Sequence, residues 1–432
     1  MHKLTLSLLL FTAISAQAQP DTLRYACGPA NRMFALLSPE MKSTETTNGF
    51  DLGTAPILTG KSCTSATPFF FSANLPEGTY RVTVTLGGPQ ASVTTVRAES
   101  RRLQLEKIPT AAGASVTHTF DVNIRYPEIA LANNLTGAVK RKPREYDNLD
   151  WDHKLTLEFN GDHPSLRSLI IEPIPKDAKE PVIYLAGDST VVDQDTEPWA
   201  AWGQMLPRFF TPGVVVSDHA ESGETIKSFV GEQRFAKIFS IIQPGDYLFM
   251  QFNHNDQKPG AVSLEDYNRL LREYIAKARA AGATPVLVTA MHRRTFDENG
   301  KITNSLGAYP EAVRTTAIET HTALIDLNAM SKTLFETMGP DPAKKAFMHY
   351  PANSFPNQEK AIDDDTHFNS YGAYELARCI VHGIREANLP IAKFLTKDIP
   401  DFNPAKPDPQ PTFDLPFTPI RIKTDVTKVP QT

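Results

Sequence analysis

Four short runs of apolar residues restrict the possible folds of this chain more than any other feature. The runs are Val182–Ala186, Val214–Val216, Tyr247–Met250 and Pro285–Val288. Amphipathic patterns lie between them, and the clearest spans residues 264–281 with its apolar side chains on one helical face. Uninterrupted apolar strands that alternate with amphipathic helices are typical of a parallel sheet with helices on both faces. We therefore predict an α/β domain over residues 176–400.

The preceding segment, residues 19–175, follows a different pattern. Tyr80–Leu86 and Leu155–Phe159 alternate apolar with polar side chains, which is the period of a half-buried strand. The second run leads into Asn160 and Gly161, a pair that we interpret as a tight hairpin turn. Several short strands separated by turn residues predict a β-sandwich domain.

The first 18 residues have the pattern of a secretory signal peptide. A short basic start precedes an apolar run over residues 4–14, and small residues surround the predicted cleavage site. We therefore expect a mature protein that begins at Gln19 and is exported, either to a periplasm or out of the cell. No later segment is apolar for long enough to cross a membrane. At the other end, residues 401–432 are Pro-rich and predict an extended C-terminal extension.

The net charge restricts the possible partners, and the cysteines bear on whether a disulfide can form. The formal net charge of -5 at pH 7 argues against sequence-independent binding to nucleic acid or to an anionic membrane. Cys27 and Cys63 could pair in an oxidising compartment, and Cys379 is interpreted as a buried thiol within a helical pattern. Whether Cys27 and Cys63 pair is left open by the sequence.

Polar blocks follow the apolar runs, and in such sheets ligands bind at the carboxyl ends of the strands. Three of the blocks follow strands and the fourth precedes the last long helical pattern: Gly187–Thr190, Ala220–Gly223, Phe252–Asp256 and Asp364–Asn369. We therefore expect these four blocks to meet at one edge of the sheet.

The residue types in these blocks match acyl transfer. A serine hydroxyl such as that of Ser189 needs a base to take its proton, and the imidazole of His367 suits that role. Asp364, three residues earlier, can orient that ring. The backbone N–H groups of Ser189 and Gly223 and the side-chain amide of Asn255 would supply donors to an oxyanion. This chemistry needs neither a metal nor a cofactor.

The four blocks resemble those of the SGNH, or GDSL-like, hydrolases, which are named for the Ser, Gly, Asn and His at these positions. The closer resemblance is to the rhamnogalacturonan acetylesterases of carbohydrate esterase family twelve, to which Met291–Lys301 and Tyr309–Val313 are also similar. The resemblance implies a three-layer α/β/α, flavodoxin-like catalytic domain with a parallel sheet. It also implies the following roles: catalytic residues Ser189, Asp364 and His367, and an oxyanion hole of Ser189, Gly223 and Asn255.

Residues 22–174 resemble the galactose-binding-type β-sandwich that precedes the catalytic domain in two-domain members. Whether this domain binds sugar or supports the catalytic domain stays open, and we favour support because the sequence has no clear aromatic platform. Two positions depart from the family pattern: Asn253 stands in place of a usual glycine, and Glu224 in place of a common arginine. Both departures bear on substrate identity more than on the type of reaction.

Four further residues are candidates for substrate binding: His254, His292, Arg293 and Arg294. The two arginines could pair with uronate carboxylates through bidentate hydrogen bonds, and internal salt bridges explain them equally well. His254 is better explained as a brace for its loop than as a second base. In the acidic run Asp363–Asp365, position favours Asp364 as the orienting carboxylate. Asp363 and Asp365 are interpreted as solvated or capping residues rather than a cation site, because no further ligands accompany them.

These patterns predict an esterase that removes O-acetyl groups from rhamnogalacturonan through an acetyl-enzyme intermediate. Its partner would be an acetylated pectic polysaccharide or oligosaccharide, without nucleic acid or membrane insertion. One alternative is an acetylesterase for xylan or another decorated polysaccharide. Another is a non-catalytic carbohydrate-binding protein, which is disfavoured because every expected catalytic residue is present.

Overall fold

The computed structural model describes residues 21–28, 32–130, 136–356 and 358–419 of the 432-residue chain. The predicted signal peptide, residues 1–18, lies outside the described residues, as does the end of the predicted C-terminal extension. The described chain has a β-rich N-terminal half and an α/β C-terminal half, each with its own hydrophobic core.

The N-terminal half is built from strands that are almost all antiparallel. The strands are β1 (Leu23–Ala26), β2 (Ala35–Leu36), β3 (Gly49–Asp51), β4 (Ile57–Thr59), β5 (Ser62–Thr64), β6 (Phe69–Asn74), β7 (Gly78–Leu86), β8 (Ser92–Ala98), β9 (Arg102–Thr110), β10 (Val116–Ile124), β11 (Glu128–Ala130), β12 (Thr136–Ala138), β13 (Lys154–Asp162), β14 (Ser165–Leu166) and β15 (Ser168–Pro173). Two five-stranded sheets have the orders β10-β7-β15-β1-β2 and β3-β6-β13-β8-β9. Smaller sheets are β14-β5-β4 and β11-β12, and a 3₁₀ helix spans Pro143–Glu145.

The two large sheets pack face to face because alternate side chains of their strands point into one core. Val82 and Val84 of β7 are fully buried in the same cluster as Leu155 and Leu157 of β13, which belongs to the other sheet. Full burial of such a side chain stabilises the fold by about 1.5–3 kcal/mol. The half is therefore a β-sandwich, and a disulfide between Cys27 and Cys63 lies in its core.

The predicted hairpin turn at Asn160 and Gly161 is wrong. Strand β13 continues through both residues, and Gly161 pairs with Thr94 of β8. The φ angle of Gly161 is 122°, and a Cβ there would lie 2.3 Å from the carbonyl oxygen of Val93. Glycine is required at this position because two backbones approach closely, not because the chain turns.

The C-terminal half alternates strands with helices. Its strands are β16 (Val182–Gly187), β17 (Val215–Asp218), β18 (Tyr247–Gln251), β19 (Thr284–Val288), β20 (Ala323–Ile325), β21 (Phe347–Tyr350) and β22 (Ile362–Phe368). Its helices are α1 (Trp202–Met205), α2 (Ile226–Gly231), α3 (Arg234–Ile241), α4 (Leu264–Ala280), α5 (Tyr309–Thr320), α6 (Leu327–Met338), α7 (Pro340–Ala343) and α8 (Ser370–Glu386). No helix in the described ranges has the length and apolar character needed to cross a bilayer. Short 3₁₀ helices span Leu206–Phe209, Lys344–Ala346, Pro390–Phe394 and Gln410–Thr412.

Strands β16 to β20 form one parallel sheet in the order β17-β16-β18-β19-β20. Numbered from β16, this is the order 2-1-3-4-5 of flavodoxin-like folds. Ile183 and Leu185 of β16 face a core shared with α1, α6 and α8, whereas Tyr184 and Ala186 face a core shared with α2 to α5. Both faces of the sheet are covered, so the predicted three-layer α/β/α architecture is confirmed.

Buried ion pairs join the two halves. Arg102 of the sandwich lies 2.8 Å from Asp193 of the α/β half, and Arg234 of α3 lies 2.6 Å from Glu145. All four side chains are at most 1% exposed. A buried charge that loses its partner destabilises a protein by about 3–5 kcal/mol, so these pairs strongly favour one relative position of the two halves.

The C-terminal extension, as far as it is described, packs on the sandwich. Thr418 donates its hydroxyl to Glu158 at 2.8 Å, and Asn160 donates its side-chain amide to the carbonyl oxygen of Phe417 at 2.9 Å. Glu158 also bonds Arg97 at 3.0 Å, and both side chains are buried. The extension thus covers a charged pair on the sandwich surface.

Candidate active site

Ser189 follows β16 at the carboxyl edge of the parallel sheet. The turn is held by Asp188, whose Oδ1 accepts hydrogen bonds from the backbone N–H of Thr190 at 2.9 Å and from its hydroxyl at 2.7 Å. Strands β17 and β18 lie on opposite sides of β16, so Ser189 is next to the point where the strand order reverses. Crevices at such points are the usual ligand sites of open α/β sheets.

Ser189, His367 and Asp364 form a continuous hydrogen-bonded relay. The Oγ of Ser189 lies 2.8 Å from Nε2 of His367, and Nδ1 of His367 lies 2.7 Å from Oδ2 of Asp364. Ser189 is 6% exposed. This is the geometry in which an imidazole takes the proton of a serine nucleophile while a carboxylate orients the ring.

The β21–β22 hairpin explains how Asp364 and His367 reach this place. The register between the two strands shifts so that Phe347 pairs with Phe368 while the next residue, Met348, pairs with Asp364. The intervening residues of β22 bulge out of the ladder, and the backbone N–H of His367 donates to Oδ1 of Asp364 at 3.1 Å. The bulge brings both side chains of the relay to one side of the hairpin.

Asp364 stays ionised over the ordinary pH range. Burial alone would raise its pKa, but hydrogen bonds from the ring and backbone of His367 and from the backbone of Thr366 outweigh burial and lower the pKa to about 2. A carboxylate that remains charged can stabilise the imidazolium that forms when His367 accepts a proton.

The two remaining predicted oxyanion donors lie in loops tied to the same edge. Gly223 has a φ angle of 83°, which favours glycine, and its loop is attached to β16 through the N–H of Glu221 and the carbonyl of Gly187 at 3.2 Å. The side-chain amide of Asn255 donates to the carbonyl oxygen of Glu224 at 3.0 Å. The loops that follow β17 and β18 are thereby linked.

An open cleft of about 300 Å³ adjoins the relay. Its lining residues are Arg144, Gln194, Asp195, Thr196, Trp199, Ser222 and His367. Arg144 belongs to the N-terminal half, so both halves of the chain line the cleft. A polar cleft with one indole ring offers both hydrogen bonds and a flat apolar face.

His254 braces the site. Its Nε2 donates to the carbonyl oxygen of Met291 at 3.1 Å, and its Nδ1 lies 3.4 Å from Oδ2 of Asp188. Burial alone would raise the pKa of Asp188, but His254 and the hydrogen bonds from Thr190 outweigh burial, so the pKa of Asp188 is lowered. These contacts favour the interpretation that His254 supports the Ser189 turn over direct sugar binding.

The structure places His292, Arg293 and Arg294 among internal partners. Arg293 donates to Thr366, to the carbonyl of Ser305 and to the carbonyl of His254, all within 3.2 Å. Arg294 bonds Asp365 at 2.6 Å and the carbonyl of Pro340 at 3.1 Å. Burial lowers the pKa of His292 to about 4, so this imidazole is neutral at pH 7. These contacts favour internal support over uronate binding for the two arginines, and burial of His292, which is 5% exposed, favours the same interpretation for it.

The two carboxylates that flank Asp364 are both exposed and paired, since the side chain of Asp363 is 88% exposed and that of Asp365 is 42% exposed. His349 lies between Asp363 at 2.7 Å and Asp365 at 2.8 Å. The exposure of both side chains agrees with the predicted solvated positions, and their partners are His349 for both and also Arg294 for Asp365. Within the described ranges, no group of three or more His, Cys, Asp or Glu side chains is placed to hold a metal ion.

Asn253 has an unusual backbone. Its φ angle is 147°, a region that favours glycine, and the residue is 1% exposed. Neither polar atom of its side chain has a hydrogen-bond partner among the described residues. The glycine that the family usually carries here would relieve both costs.

Sequence reasoning missed two residues of the N-terminal half. Lys142 donates to the carbonyl oxygen of Ser222 at 2.8 Å and to Glu224, and Arg144 donates to Glu221 at 2.7 Å and to the same carbonyl. The only local signal is a short basic run, Arg141–Arg144, which looks like any solvated loop. Their role depends on how the two halves pack.

The fold and the relay define a serine hydrolase of the flavodoxin-like α/β class, and comparison with known proteins agrees. A model of the GDSL-like lipase/acylhydrolase family matches residues 185–374. Rhamnogalacturonan acetylesterase RhgT of Bacillus subtilis (strain 168) is 43% identical over 221 residues, which cover 50% of this chain and 95% of RhgT. The chain therefore belongs to the GDSL-like lipase/acylhydrolase family, and the prediction of an esterase of this family is confirmed.

Two further similarities extend the comparison. The probable rhamnogalacturonan acetylesterase YesY of the same organism is 36% identical over 222 residues, which cover 50% of this chain and 98% of YesY. The crystal structure of protein YxiM from Bacillus subtilis matches with a TM-score of 0.48 and 23% identity, and the alignment covers 86% of this chain and 99% of that chain.

Proposed function

We propose that this esterase removes O-acetyl groups from an acetylated pectic polysaccharide of the rhamnogalacturonan type. The observation that carries the proposal is the Ser189–His367–Asp364 relay at the edge of an open cleft. It lies in a chain that is 43% identical, over 221 residues, to a protein named rhamnogalacturonan acetylesterase. That name describes the relative, and we propose the same substrate for this chain.

The first half of the reaction forms an acetyl-enzyme. Ser189 Oγ attacks the acetyl carbonyl carbon while its proton passes to Nε2 of His367. The resulting oxyanion accepts hydrogen bonds from the N–H groups of Ser189 and Gly223 and from the amide of Asn255. The bond between the carbonyl carbon and the sugar oxygen then breaks, and His367 gives the proton to that leaving oxygen, which becomes the sugar hydroxyl.

The second half releases acetate. His367 takes a proton from a water molecule, whose oxygen attacks the carbonyl carbon of acetyl-Ser189. The same donors stabilise the second oxyanion. Its collapse breaks the bond between the carbonyl carbon and Ser189 Oγ and releases acetic acid, which ionises to acetate, while His367 returns the proton to Oγ. Asp364 orients and stabilises the imidazolium in both halves and remains ionised throughout.

The shape of the cleft supports a polymeric substrate. It is open rather than enclosed, most of its lining residues have polar side chains, and Trp199 offers a face on which a sugar ring can stack. The half-exposed side chain of Arg144, which is paired with Glu221, lies in the same lining, where it can approach a uronate carboxylate. This position suits acidic pectic chains better than neutral xylan.

The test is acetate release from acetylated rhamnogalacturonan, with acetylated xylan as the control polymer and Ser189→Ala as the control enzyme. We expect release from the pectic polymer that is lost in Ser189→Ala. Release from xylan alone would contradict the proposed substrate but would leave the proposed mechanism unaffected. A folded protein that releases acetate from neither polymer would contradict the proposed function.

We also propose that the protein is exported. The disulfide between Cys27 and Cys63 supports this, because disulfides persist mainly in oxidising compartments. The mass of the protein purified from its natural host tests the proposal, with a mature chain beginning at Gln19 as the expected result. A full-length chain retained in the cytosol would contradict it.

A further inference from the structure

The carbonyl of Ser222 and the N–H of Gly223 belong to one peptide group. Lys142 donates to that carbonyl oxygen at 2.8 Å, and Nη2 of Arg144 donates to the same oxygen. Both cations come from the N-terminal half. The N–H that is proposed to bind the oxyanion therefore shares its amide resonance with an oxygen that accepts from two positive charges.

The second proposed donor has the same arrangement. The side-chain oxygen of Asn255 accepts a hydrogen bond from Nζ of Lys258 at 2.7 Å. The nitrogen of that amide donates one hydrogen to the backbone carbonyl oxygen of Glu224 at 3.0 Å and carries a second hydrogen. Two amides on two different loops thus have a cation on the oxygen and the proposed donor on the nitrogen.

A cation on an amide oxygen strengthens the N–H of the same amide. It withdraws electron density through the planar C–N bond, so the N–H becomes a better donor. Each bond in such a chain strengthens the next by about 10–30%, and bonds to charged groups are roughly twice as strong as neutral ones. The cation also fixes the plane of the amide before substrate arrives, which is what oxyanion stabilisation requires.

Attachment of the N-terminal half does not explain these contacts. Glu145 already anchors the segment through Arg234 at 2.6 Å, and it accepts from Trp151 at 3.1 Å. Glu224 and Glu221 balance the charges of Lys142 and Arg144, and they do so through separate contacts, so the bonds to the Ser222 carbonyl remain. The cations are therefore placed on the peptide itself.

We infer that Lys142, Arg144 and Lys258 are positioning residues that orient and polarise the oxyanion donors, and that the N-terminal half thereby completes the catalytic site. The inference rests on the proposed acyl-transfer function, since it concerns the donors of that reaction. It gives the β-sandwich a task in catalysis that requires no sugar binding by the sandwich itself.

The test compares two double variants that each remove one lysine–glutamate pair between the two halves. Lys142→Met/Glu224→Gln removes one of the two cations on the Ser222 carbonyl, leaves Arg144 in place, and leaves no buried carboxylate unpaired. Lys237→Met/Glu77→Gln is the matched control, because Lys237 pairs with Glu77 at 2.6 Å and donates to the carbonyl of Glu128 at 2.7 Å, away from the relay. Both are assayed with p-nitrophenyl acetate, which is too small to depend on polymer contacts.

The expected result is a fall in kcat of about tenfold for Lys142→Met/Glu224→Gln, with KM changed less than about twofold, because the donors act on the transition state. Lys258→Met should show the same pattern, and Lys142→Arg, which keeps the cation, should retain most of the wild-type kcat. The Lys237→Met/Glu77→Gln control should keep kcat even where its thermal stability falls.

If Ser189→Ala abolishes turnover, two outcomes would contradict this inference while leaving the proposed function intact. One is a wild-type kcat in Lys142→Met/Glu224→Gln, and the other is an equal fall of kcat in the two double variants, which would indicate domain docking. Turnover that survives in Ser189→Ala would instead contradict the proposed function, and the inference would fail with it.

Discussion

Nε2 of His367 lies 2.8 Å from Oγ of Ser189, although 178 residues separate them in the chain. Ser189 follows the first strand of the parallel sheet, and His367 lies in a hairpin strand outside that sheet. The contact depends on the bulge in β22 and on the hydrogen bonds that Asp364 accepts. It places an imidazole where a serine hydroxyl needs a base to act as a nucleophile, which is the role that we propose for His367.

Asn255→Ala tests the side-chain oxyanion donor. We expect kcat to fall by about 10²–10³, because removal of one such donor has this effect in other acyl-transfer enzymes. Turnover of p-nitrophenyl acetate measures it, and Asn304→Ala, which removes an exposed loop amide, is the matched control. An unchanged kcat would exclude Asn255 from the role.

Asp364 makes stability depend on pH. Its pKa is about 2 in the folded protein against an ordinary value of 3.8, so its contribution is fully present above pH 3.8 and is lost as pH falls through 2. The side chain is 31% exposed, and we expect its ionised form to contribute about 1–2 kcal/mol to the free energy of unfolding. Urea unfolding of wild type and Asp364→Asn at several pH values measures the effect. The advantage of wild type should shrink as pH falls from about 4 through 2, and a constant difference would count against the prediction.

Asn253→Gly is expected to stabilise the protein by about 1 kcal/mol. Relief of a backbone strain of roughly 1–3 kcal/mol exceeds the entropy cost of glycine, roughly 0.5–1 kcal/mol. Asn253→Ala is the comparison, because it removes the amide and keeps the Cβ at a φ angle of 147°. Chemical denaturation should give a larger free energy of unfolding for the glycine variant than for the alanine variant. The reverse order would show that the backbone at Asn253 is not strained.

Thr418→Val tests whether the C-terminal extension contributes to folding. The hydroxyl of Thr418 bonds the buried carboxylate of Glu158 at 2.8 Å, and its loss should cost about 1–3 kcal/mol. Thr412→Val is the control, since its exposed hydroxyl bonds only the carbonyl of Pro409 among the contacts described. Equal stability of the two variants would show that the extension is not part of the folded unit.

Much of the catalytic half could be predicted because its information is local. Each apolar run marks a buried parallel strand, and the polar residues at the ends of such strands meet at one edge of the sheet. Ser189, Gly223 and Asn255 follow three adjacent strands, so their proximity follows from topology. Asp364 and His367 were found from their spacing of three residues, which lets one side chain reach the other.

Contacts between distant segments could not be predicted. Lys142 and Arg144 reach the Ser222 carbonyl only because the sandwich docks on the α/β half, and no pattern within residues 141–144 encodes that docking. Gly161 shows a different limit, since an Asn-Gly pair favours a turn locally while its pairing with Thr94 keeps it in a strand. The partners of Arg293 likewise lie in three separate segments of the chain.

The measurement that tests the central claim most directly is turnover of p-nitrophenyl acetate by Ser189→Ala beside Ser240→Ala. Ser240 lies on α3, and its hydroxyl bonds the carbonyl of Lys237 at 2.7 Å, so its removal leaves the relay intact. We predict that Ser189→Ala lowers kcat by at least about 10⁴ while Ser240→Ala retains wild-type activity. Wild-type turnover by a folded Ser189→Ala would contradict the assignment of the nucleophile.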